Sequence, residues 1–165
     1  MKQLSHVDGQ NQPTMVDISH KASSEREALV RAFVQFPEDA ADLTVGGEIC
    51  TKKGPVIATA VIAGTMAAKK TSDLIPFCHP IPMTHCKITI EIVDRKALEI
   101  QCYVKTHGTT GVEMEAMVGA LTAAATVYDM CKALSHGIVI GPVELIHKKG
   151  GKSDYHREVP VDLRR

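Results

Sequence analysis

The chain has 165 residues, 44% of them hydrophobic and 23% charged, with 19 lysines and arginines against 19 aspartates and glutamates. This length predicts one domain and is too short for an enzyme with a cleft between two lobes. The formal net charge of zero argues against a long nucleic acid as partner, because phosphate backbones are bound chiefly through large basic surfaces.

The cysteines and the first residues predict a cytoplasmic protein. The five cysteines form an odd set without a Cys-x-x-Cys pair, and the polar start lacks the apolar stretch of a signal peptide. Reduced thiols are therefore expected. No uncharged apolar stretch reaches the ~18 residues of a membrane span, so we expect no membrane segment.

The first half of the chain predicts one strand and two helices. Alternating residues over 28–36 predict a strand, although the charged residues just before it would also suit the start of a helix. Pro37 suits the first turn of a short helix, and Gly46 and Gly47 would end it. A second helix is predicted over 55–70, because its first residue is a proline and small apolar residues follow.

The second half predicts two strands, a long helix and a last strand. Residues 85–94 and 97–107 alternate between apolar and polar side chains, and the short connection between them predicts a hairpin. An almost entirely apolar helix follows over 110–134. The last strand covers 138–147 and contains Pro142, which indicates a sheet edge or a bulge because proline cannot donate to the strand ladder.

This order of elements predicts an α+β fold of the ferredoxin-like, split βαβ type. In that fold one antiparallel sheet carries helices packed on one face. Residues 1–20 are expected to form an N-terminal tail, 21–150 a single catalytic domain and 151–165 a flexible basic C-terminal tail.

Charged residues at both ends of the long helix need an explanation. Asp129 and Lys132 stand three residues apart and therefore share one helix face. Glu115 lies fourteen residues before Asp129, which places the two carboxylates about 21 Å apart along the axis. A small site within one chain cannot use both ends, so either one charged pair is structural or a second subunit completes the site.

Alanines in the middle of this helix suggest where a second subunit would pack. Ala120, Ala123, Ala124 and Ala125 would allow another backbone to approach closely, which favours a homo-oligomer with composite sites. The alternative is that these alanines pack on the sheet of their own chain.

A rigid segment precedes the first hairpin strand. Pro76 and Pro80 flank Cys78 and His79 and enforce an extended backbone. We interpret this segment as a loop that is structural or binds substrate. A zinc site that adds the later His85-Cys86 pair is the less favoured alternative, because adjacent Cys-His pairs rarely chelate one metal together. Separately, lysine pairs along the chain could bind a compact polyphosphate, although any single pair is more often part of the solvated surface.

Six short motifs together resemble one enzyme family. They are Met-Val-Asp-Ile-Ser (15–19), Lys-Lys-Gly (52–54), Asp-Leu-Ile-Pro-Phe-Cys-His-Pro (73–80), Gly-Val-Glu-Met-Glu-Ala (111–116), Tyr-Asp-Met-Cys-Lys (128–132) and Gly-Gly-Lys-Ser (150–153). In this order and spacing they resemble the cyclic pyranopterin monophosphate synthases of molybdenum cofactor biosynthesis.

The resemblance implies a reaction and an assembly. The substrate would be (8S)-3′,8-cyclo-7,8-dihydroguanosine 5′-triphosphate, which a radical GTP cyclase makes from GTP, and the products would be cyclic pyranopterin monophosphate and pyrophosphate. The enzyme would be a lyase and a homohexamer, built as a trimer of dimers with sites at subunit interfaces. No cofactor or protein-bound metal is implied as a requirement, and magnesium bound with the triphosphate is left open.

The resemblance also assigns roles to residues. Asp129, Lys132 and Lys53 correspond to the catalytic residues of the family. The expected substrate contacts are Phe77, Cys78, His79, Glu113, Met114, Glu115 and Lys148. An aspartate beside Lys132 favours its charged form, so we expect Lys132 to act as a general acid and Lys53 as the better base.

Two other classes of function remain open at this stage. A non-catalytic nucleotide- or pterin-binding regulator would bind the cyclised nucleotide without releasing pyrophosphate. A zinc hydrolase would contain stoichiometric metal and would lose activity with a chelator.

Overall fold

A computed structural model describes residues 7–10, 12–37 and 44–158 of the chain. Its elements in chain order are β1 (Ser24–Gln35), β2 (Thr44–Val45), β3 (Glu48–Thr51), β4 (Gly54–Pro55), α1 (Val56–Ala68), α2 (Thr71–Leu74), β5 (Met83–Asp94), β6 (Ala97–Gly108), α3 (Glu113–Cys131), β7 (Val139–Lys149) and β8 (Tyr155–His156). The main sheet is antiparallel with the order β5-β6-β1-β7-β8, and β2, β3 and β4 form a small second sheet. Helices α1 and α3 pack on the main sheet and on each other, which confirms the predicted α+β, ferredoxin-like arrangement.

The regular strands and the two long helices were predicted correctly. The β5–β6 hairpin turns between Asp94 and Ala97, as the alternating pattern indicated. Strand β1 begins at Ser24, four residues earlier than predicted, because its charged first residues pair with the end of β6. Both long helices are shorter than predicted by a few residues at their ends.

Pro142 lies at a bulge, as its position in the last strand predicted. Ala32 of β1 pairs with Val143 and Val34 pairs with Ile140, so Gly141 and Pro142 stand opposite a single residue. On its other side, β7 pairs with β8 only near its end. The proline therefore removes no hydrogen bond from the described sheet.

The helix predicted to end at Gly46 and Gly47 was wrong in its described part. Residues 44 and 45 form β2, while residues 38–43 lie outside the described part of the chain. Both glycines have positive φ, of 61° and 83°, and join β2 to β3 in a two-residue turn. Two successive residues with positive φ suit a hairpin better than a helix end.

Five short elements were not predicted from the sequence. They are the β2–β4 sheet, α2 and β8. Strand β8 pairs with β7 through His147 and Lys148, so the segment expected to form a flexible tail begins with residues attached to the sheet. Residues 159–165 lie outside the described part. The domain boundaries themselves stay a prediction.

Two glycines let α1 and α3 approach closely. A Cβ atom on Gly64 would lie 2.6 Å from the carbonyl oxygen of Gly119 and 2.6 Å from Cδ1 of Ile88. A Cβ atom on Gly119 would lie 2.7 Å from Sγ of Cys102. Helix α1 is therefore held against both α3 and the sheet, at a distance that no larger side chain permits.

The alanines of α3 belong to this internal packing, which corrects the expectation that they face a second subunit. Ala120, Ala123 and Ala124 are fully buried within the chain, and only Ala125 is exposed. They pack against α1 and against sheet residues such as Leu98 and Ile100, which are also fully buried. Burial of each such large side chain contributes about 1.5–3 kcal/mol.

Among the described residues, no helix combines the length and the apolar composition that crossing a membrane would require.

The glycine contact predicts a large effect of one methyl group. Gly64→Ala should destabilise the protein by about 1–3 kcal/mol through overpacking, although alanine is the better helix former. Ala58→Ser adds one heavy atom at an exposed position of the same helix and should change stability by no more than about 0.5 kcal/mol. Chemical denaturation of both variants measures the difference, and equal stabilities would contradict the close contact.

Candidate active site

Lys53, Asp129 and Lys132 form an ion-paired triad at the C-terminal end of α3. Nζ of Lys132 lies 2.7 Å from Oδ1 of Asp129, and Nζ of Lys53 lies 2.7 Å from Oδ2. Lys53 also donates to the main-chain oxygen of Asp129 at 2.9 Å. One carboxylate thus holds two ammonium groups side by side, and about half of each of the three side chains is exposed to solvent.

The triad fixes the charge of its carboxylate. The hydrogen bond from Lys132, followed by that from Lys53, lowers the pKa of Asp129 to about 2. In return, Asp129 raises the pKa of Lys132. At neutral pH the geometry therefore holds Lys132 in its charged form. The sequence argument assigned Lys132 as the acid and Lys53 as the base because it placed Asp129 beside Lys132 alone. In the structure both lysines pair with Asp129, so this pairing gives no reason to assign them different roles.

A partly buried carboxylate helps to position Lys53. Glu48 of β3 accepts hydrogen bonds from the main-chain N–H groups of Ile57 at 2.7 Å and Ala58 at 3.0 Å. These are among the first N–H groups of α1, which have no partner within the helix. Glu48 thereby fastens the small sheet to the start of α1, and Lys53 in the β3–β4 turn is held over the end of α3. Sequence reasoning missed this residue, because no local motif marks a cap supplied from another element.

Glu115 and Cys78 form a second cluster at the opposite end of α3. Glu115 is only 3% exposed, and its Oε2 atom has no hydrogen-bond partner. The thiol of Cys78 lies 3.9 Å from its other carboxylate oxygen. Burial, with the neighbouring charge of Glu113, raises the pKa of Glu115 to about 7. A carboxyl group that titrates near neutral pH and has one oxygen without a partner is suited to transferring protons.

A basic groove lies beside this second cluster. Lys148 pairs with Glu113 at 2.9 Å. The groove has a volume of about 190 Å³ and is lined by Arg26, Glu27, Gly111, Glu113, Lys148, Lys149, Gly151 and Lys152. It exists because Gly150, with a φ of 87°, folds the chain back onto β1, where any side chain would overlap the carbonyl oxygen of Glu25. The clustered cations can hold an anionic group such as a phosphate.

His79 lines an adjoining cavity of about 380 Å³. Its other lining residues are Val16, Asp17, Ile18, His20, Lys21, Thr110 and Lys152. Lys152 borders both spaces, so the basic groove and the His79 cavity adjoin at this residue. Sequence reasoning missed Arg26, His20 and Lys21, which stand outside any motif that specifies a ligand.

The remaining predicted contact residues line the same end of the molecule. Phe77 is 39% exposed and precedes Cys78, and Met114 is 37% exposed beside Glu115. Each offers apolar surface for a flat ring. The structure therefore brings the predicted substrate-binding residues together around the start of α3.

The structure does not bring the two clusters together within one chain. The triad lies at the end of α3 and Glu115 lies at its start, about 21 Å apart along the axis as the sequence predicted.

The four residues of the alternative zinc site do not come together in the structure. They are Cys78, His79, His85 and Cys86. Cys78 contacts Glu115, whereas Cys86 contacts Cys102 between β5 and β6. Within residues 7–10, 12–37 and 44–158, no group of three or more His, Cys, Asp or Glu side chains could hold a metal ion. The described geometry therefore gives no support to the zinc-hydrolase alternative.

The buried carboxyl group predicts a pH-dependent stability difference. Because its folded pKa of about 7 exceeds the ordinary 4.5, the native state keeps a proton that the unfolded chain loses, and stability falls as pH rises from about 4.5 through 7. Glu115→Gln cannot ionise and should gain stability relative to the wild type, by on the order of 2 kcal/mol at pH 8 and almost nothing at pH 4.5.

Melting temperatures measured across this pH range test the expectation. Glu144→Gln serves as the control, since it removes a carboxylate that is paired with Arg31 and Arg157 and does not act on Glu115, and it should show no gain at pH 8. If the melting temperatures of Glu115→Gln and the wild type change in parallel with pH, Glu115 has an ordinary pKa and the expectation is wrong.

The chain is similar in sequence to proteins of molybdenum cofactor biosynthesis. The chain is 50% identical over 151 residues to the cyclic pyranopterin monophosphate synthase of Xanthomonas oryzae pv. oryzae, covering 92% of each chain. It is 54% identical to the molybdenum cofactor biosynthesis bifunctional protein of Synechocystis over 92% of its own length and 45% of that protein. It is also 48% identical to molybdenum cofactor biosynthesis protein 1 of Dictyostelium discoideum over 86% of its length and 25% of that protein.

The chain thus spans less than half of these last two relatives and nearly all of the first. The family model that matches it, the MoaC family, covers residues 15–151 and so includes both clusters. The chain belongs to the MoaC family.

Proposed function

We propose that this protein is a cyclic pyranopterin monophosphate synthase. Its substrate is (8S)-3′,8-cyclo-7,8-dihydroguanosine 5′-triphosphate, its products are cyclic pyranopterin monophosphate and pyrophosphate, and its place is in molybdenum cofactor biosynthesis. The relatives that carry this name and match the chain over almost its whole length support the proposal. The observation that carries it is the triad of Lys53, Asp129 and Lys132, in which two cations share one carboxylate.

The triad supplies proton transfer. Rearrangement of the guanine-derived ring system requires protons to be given and taken at nitrogen and carbon atoms. The ammonium group of Lys132, held charged by Asp129, is placed to donate such a proton. Lys53 pairs with the other oxygen of the same carboxylate and can exchange a second proton with the ring.

The polar surface at the other end supplies anion binding. Closure of the cyclic phosphate displaces pyrophosphate from the α-phosphorus, so negative charge builds up on the leaving oxygens. Arg26, Lys148 and Lys152 border the groove in which this charge would lie, and His79 borders the adjoining cavity. Preorganised cations of this kind stabilise the transition state without reorganisation during the step. The same groove can accept magnesium together with the triphosphate.

The proposed site is composite. Because the triad and the groove lie at opposite ends of α3, a compact nucleotide can meet both only if a second subunit contributes one of them. We place such sites at the dimer interfaces of a homohexamer, built as a trimer of dimers. A radical GTP cyclase supplies the substrate. The five free cysteines fit the reducing conditions of the cytoplasm.

Loss of one lysine should separate binding from turnover. Lys132→Ala should lower turnover by about 10²-fold or more, because it removes a charged group that acts at the reacting centre, while substrate binding and oligomeric state persist. Lys96→Ala, in the β5–β6 turn, is the matched control and should keep wild-type turnover.

The assay follows pyrophosphate and pterin together, with the cyclised nucleotide produced by the radical cyclase. Wild-type rates in the Lys132→Ala variant would remove the triad from the mechanism. A wild-type protein that binds this nucleotide and releases no pyrophosphate would instead be a regulator.

A further inference from the structure

Strand β5 forms a long edge of the main sheet. It is the first strand in the order β5-β6-β1-β7-β8, and within the described residues it pairs only with β6. It covers the 12 residues Met83–Asp94, contains neither proline nor glycine, and keeps a regular register with β6 over residues 85–92. The outer N–H and C=O groups of this regular part are therefore a template for pairing with another strand.

The usual devices that protect an edge strand are missing from the middle of β5. Edge strands of soluble proteins are often very short, bulged or interrupted by proline. The strand at the other edge of the sheet, Tyr155–His156, is short in this way. Strand β5 instead carries two exposed charged side chains, Lys87 and Glu91, whose effect depends on the strand that lies beside them.

The two faces of β5 differ in polarity. Ile88 is 7% exposed beneath α1, and Ile90 and Ile92 pack against the same core but are only partly buried. Lys87 and Glu91 lie on the opposite face, because successive side chains of a strand alternate. A partner strand must therefore present apolar side chains on one face and complementary charges on the other.

A second copy of β5 meets both requirements. If two copies pair antiparallel about Thr89, Lys87 of each copy lies opposite Glu91 of the other. The same register places Ile88 opposite Ile90, so apolar residues meet on one face and opposite charges on the other. Moving the axis to Ile88 or Ile90 would lose both charge pairs.

In the described part of the chain, Lys87 and Glu91 have no ion-pair partner. On β6, Lys87 lies opposite Tyr103, and Glu91 lies opposite Glu99. Like charges directly opposite on neighbouring strands are destabilising. Lys87 of a second copy, placed on the other side of Glu91, would offset this repulsion.

We propose that β5 is the docking strand for a second copy of this chain, which pairs with it antiparallel about a twofold axis through Thr89 and joins the two sheets into one. The two α1 helices then lie on the same face of the joined sheet, on either side of the axis. Ile62 is 65% exposed and Met66 is 49% exposed. Both lie on the side of α1 opposite Gly64, where a neighbouring helix can cover them.

This contact adds a surface to the proposed assembly. A trimer of dimers can contain more than one kind of twofold contact. Pairing through β5 uses no residue of the triad or of the basic groove. Loss of the contact is measured by assembly, so its test is separate from the release of pyrophosphate.

Reversing the charges on β5 tests the pairing. Lys87→Glu would place glutamates opposite each other across the axis, and Glu91→Lys would do the same with lysines. Each variant alone should therefore associate about tenfold or more weakly, and a variant with both substitutions should regain wild-type association. Both positions are exposed, so the fold should be kept. Analytical ultracentrifugation of a dilution series measures the association.

Mixing the two single variants gives a sharper test. Subunits with Lys87→Glu and subunits with Glu91→Lys carry opposite charges at every opposed position, so each should pair with the other in preference to itself. Native mass spectrometry with one variant isotopically labelled should find mixed assemblies in excess of the statistical distribution. Lys96→Glu, in the β5–β6 turn, is the matched control and should assemble as the wild type and mix statistically.

Several results would overturn the proposal. One is statistical mixing of the two reversed variants. Another is a variant with both substitutions that associates as weakly as either single variant. A wild-type protein that stays monomeric, or single variants with unchanged association, would also place Lys87 and Glu91 outside any contact between copies.

Discussion

The close contact between α1 and α3 is the constraint on which the rest of the structure depends. Gly64 and Gly119 bring the two helices within backbone contact over the sheet, and Ile88 and Cys102 press against the same glycines from below. Because the helices run in opposite directions, this contact sets the start of α1 beside the end of α3. Glu48 then fastens the β3–β4 turn to α1, and Lys53 reaches Asp129.

The same helix separates two kinds of chemistry. Its last turn carries an exposed cluster in which charge is fixed, since Asp129 is ionised and holds two ammonium groups. Its first turn carries Glu115, which is buried, lacks a partner at one oxygen and titrates near neutral pH. Fixed positive charge suits proton donation and phosphate binding, whereas a carboxyl group of raised pKa suits proton exchange. The proposed reaction, which rearranges a ring and displaces pyrophosphate, can use both.

Local patterns predicted most of the fold. The strict alternation in 85–94 and 97–107 predicted the β5–β6 hairpin correctly. The proline and the small residues of 55–70 predicted α1. Gly46 and Gly47 led to a wrong prediction, because a pair of glycines is found at helix ends as well as in hairpin turns. The backbone angles show that this pair forms a hairpin turn. The alanines of α3 led to a wrong prediction for another reason. Small residues indicate that another backbone packs closely on the helix, but they do not show whether it belongs to a second subunit or to the same chain, as α1 does.

One contact of the triad was predictable from the sequence, and the contacts that depend on tertiary packing were not. The spacing of Asp129 and Lys132 placed both on one helix face, and the structure pairs them. Lys53 lies 76 residues earlier, so its contact with Asp129 depends on tertiary packing that no local pattern encodes. Arg26 reaches the groove for the same reason, through the fold of β1 against Gly150. The predicted separation of the two ends held because helix geometry alone determines it.

The composite site is the central claim, and mixing of inactive subunits tests it most directly. Lys132→Ala removes the triad of one subunit, and Lys148→Ala removes a groove cation of the other. In oligomers assembled from both variants, half of the dimers are mixed, and each has one intact site, so activity should return to about a quarter of the wild-type value. Mixing Lys132→Ala with Lys53→Ala should restore nothing, because both variants damage the same end of α3. Mixed oligomers of Lys132→Ala and Lys148→Ala that stay inactive would contradict the account.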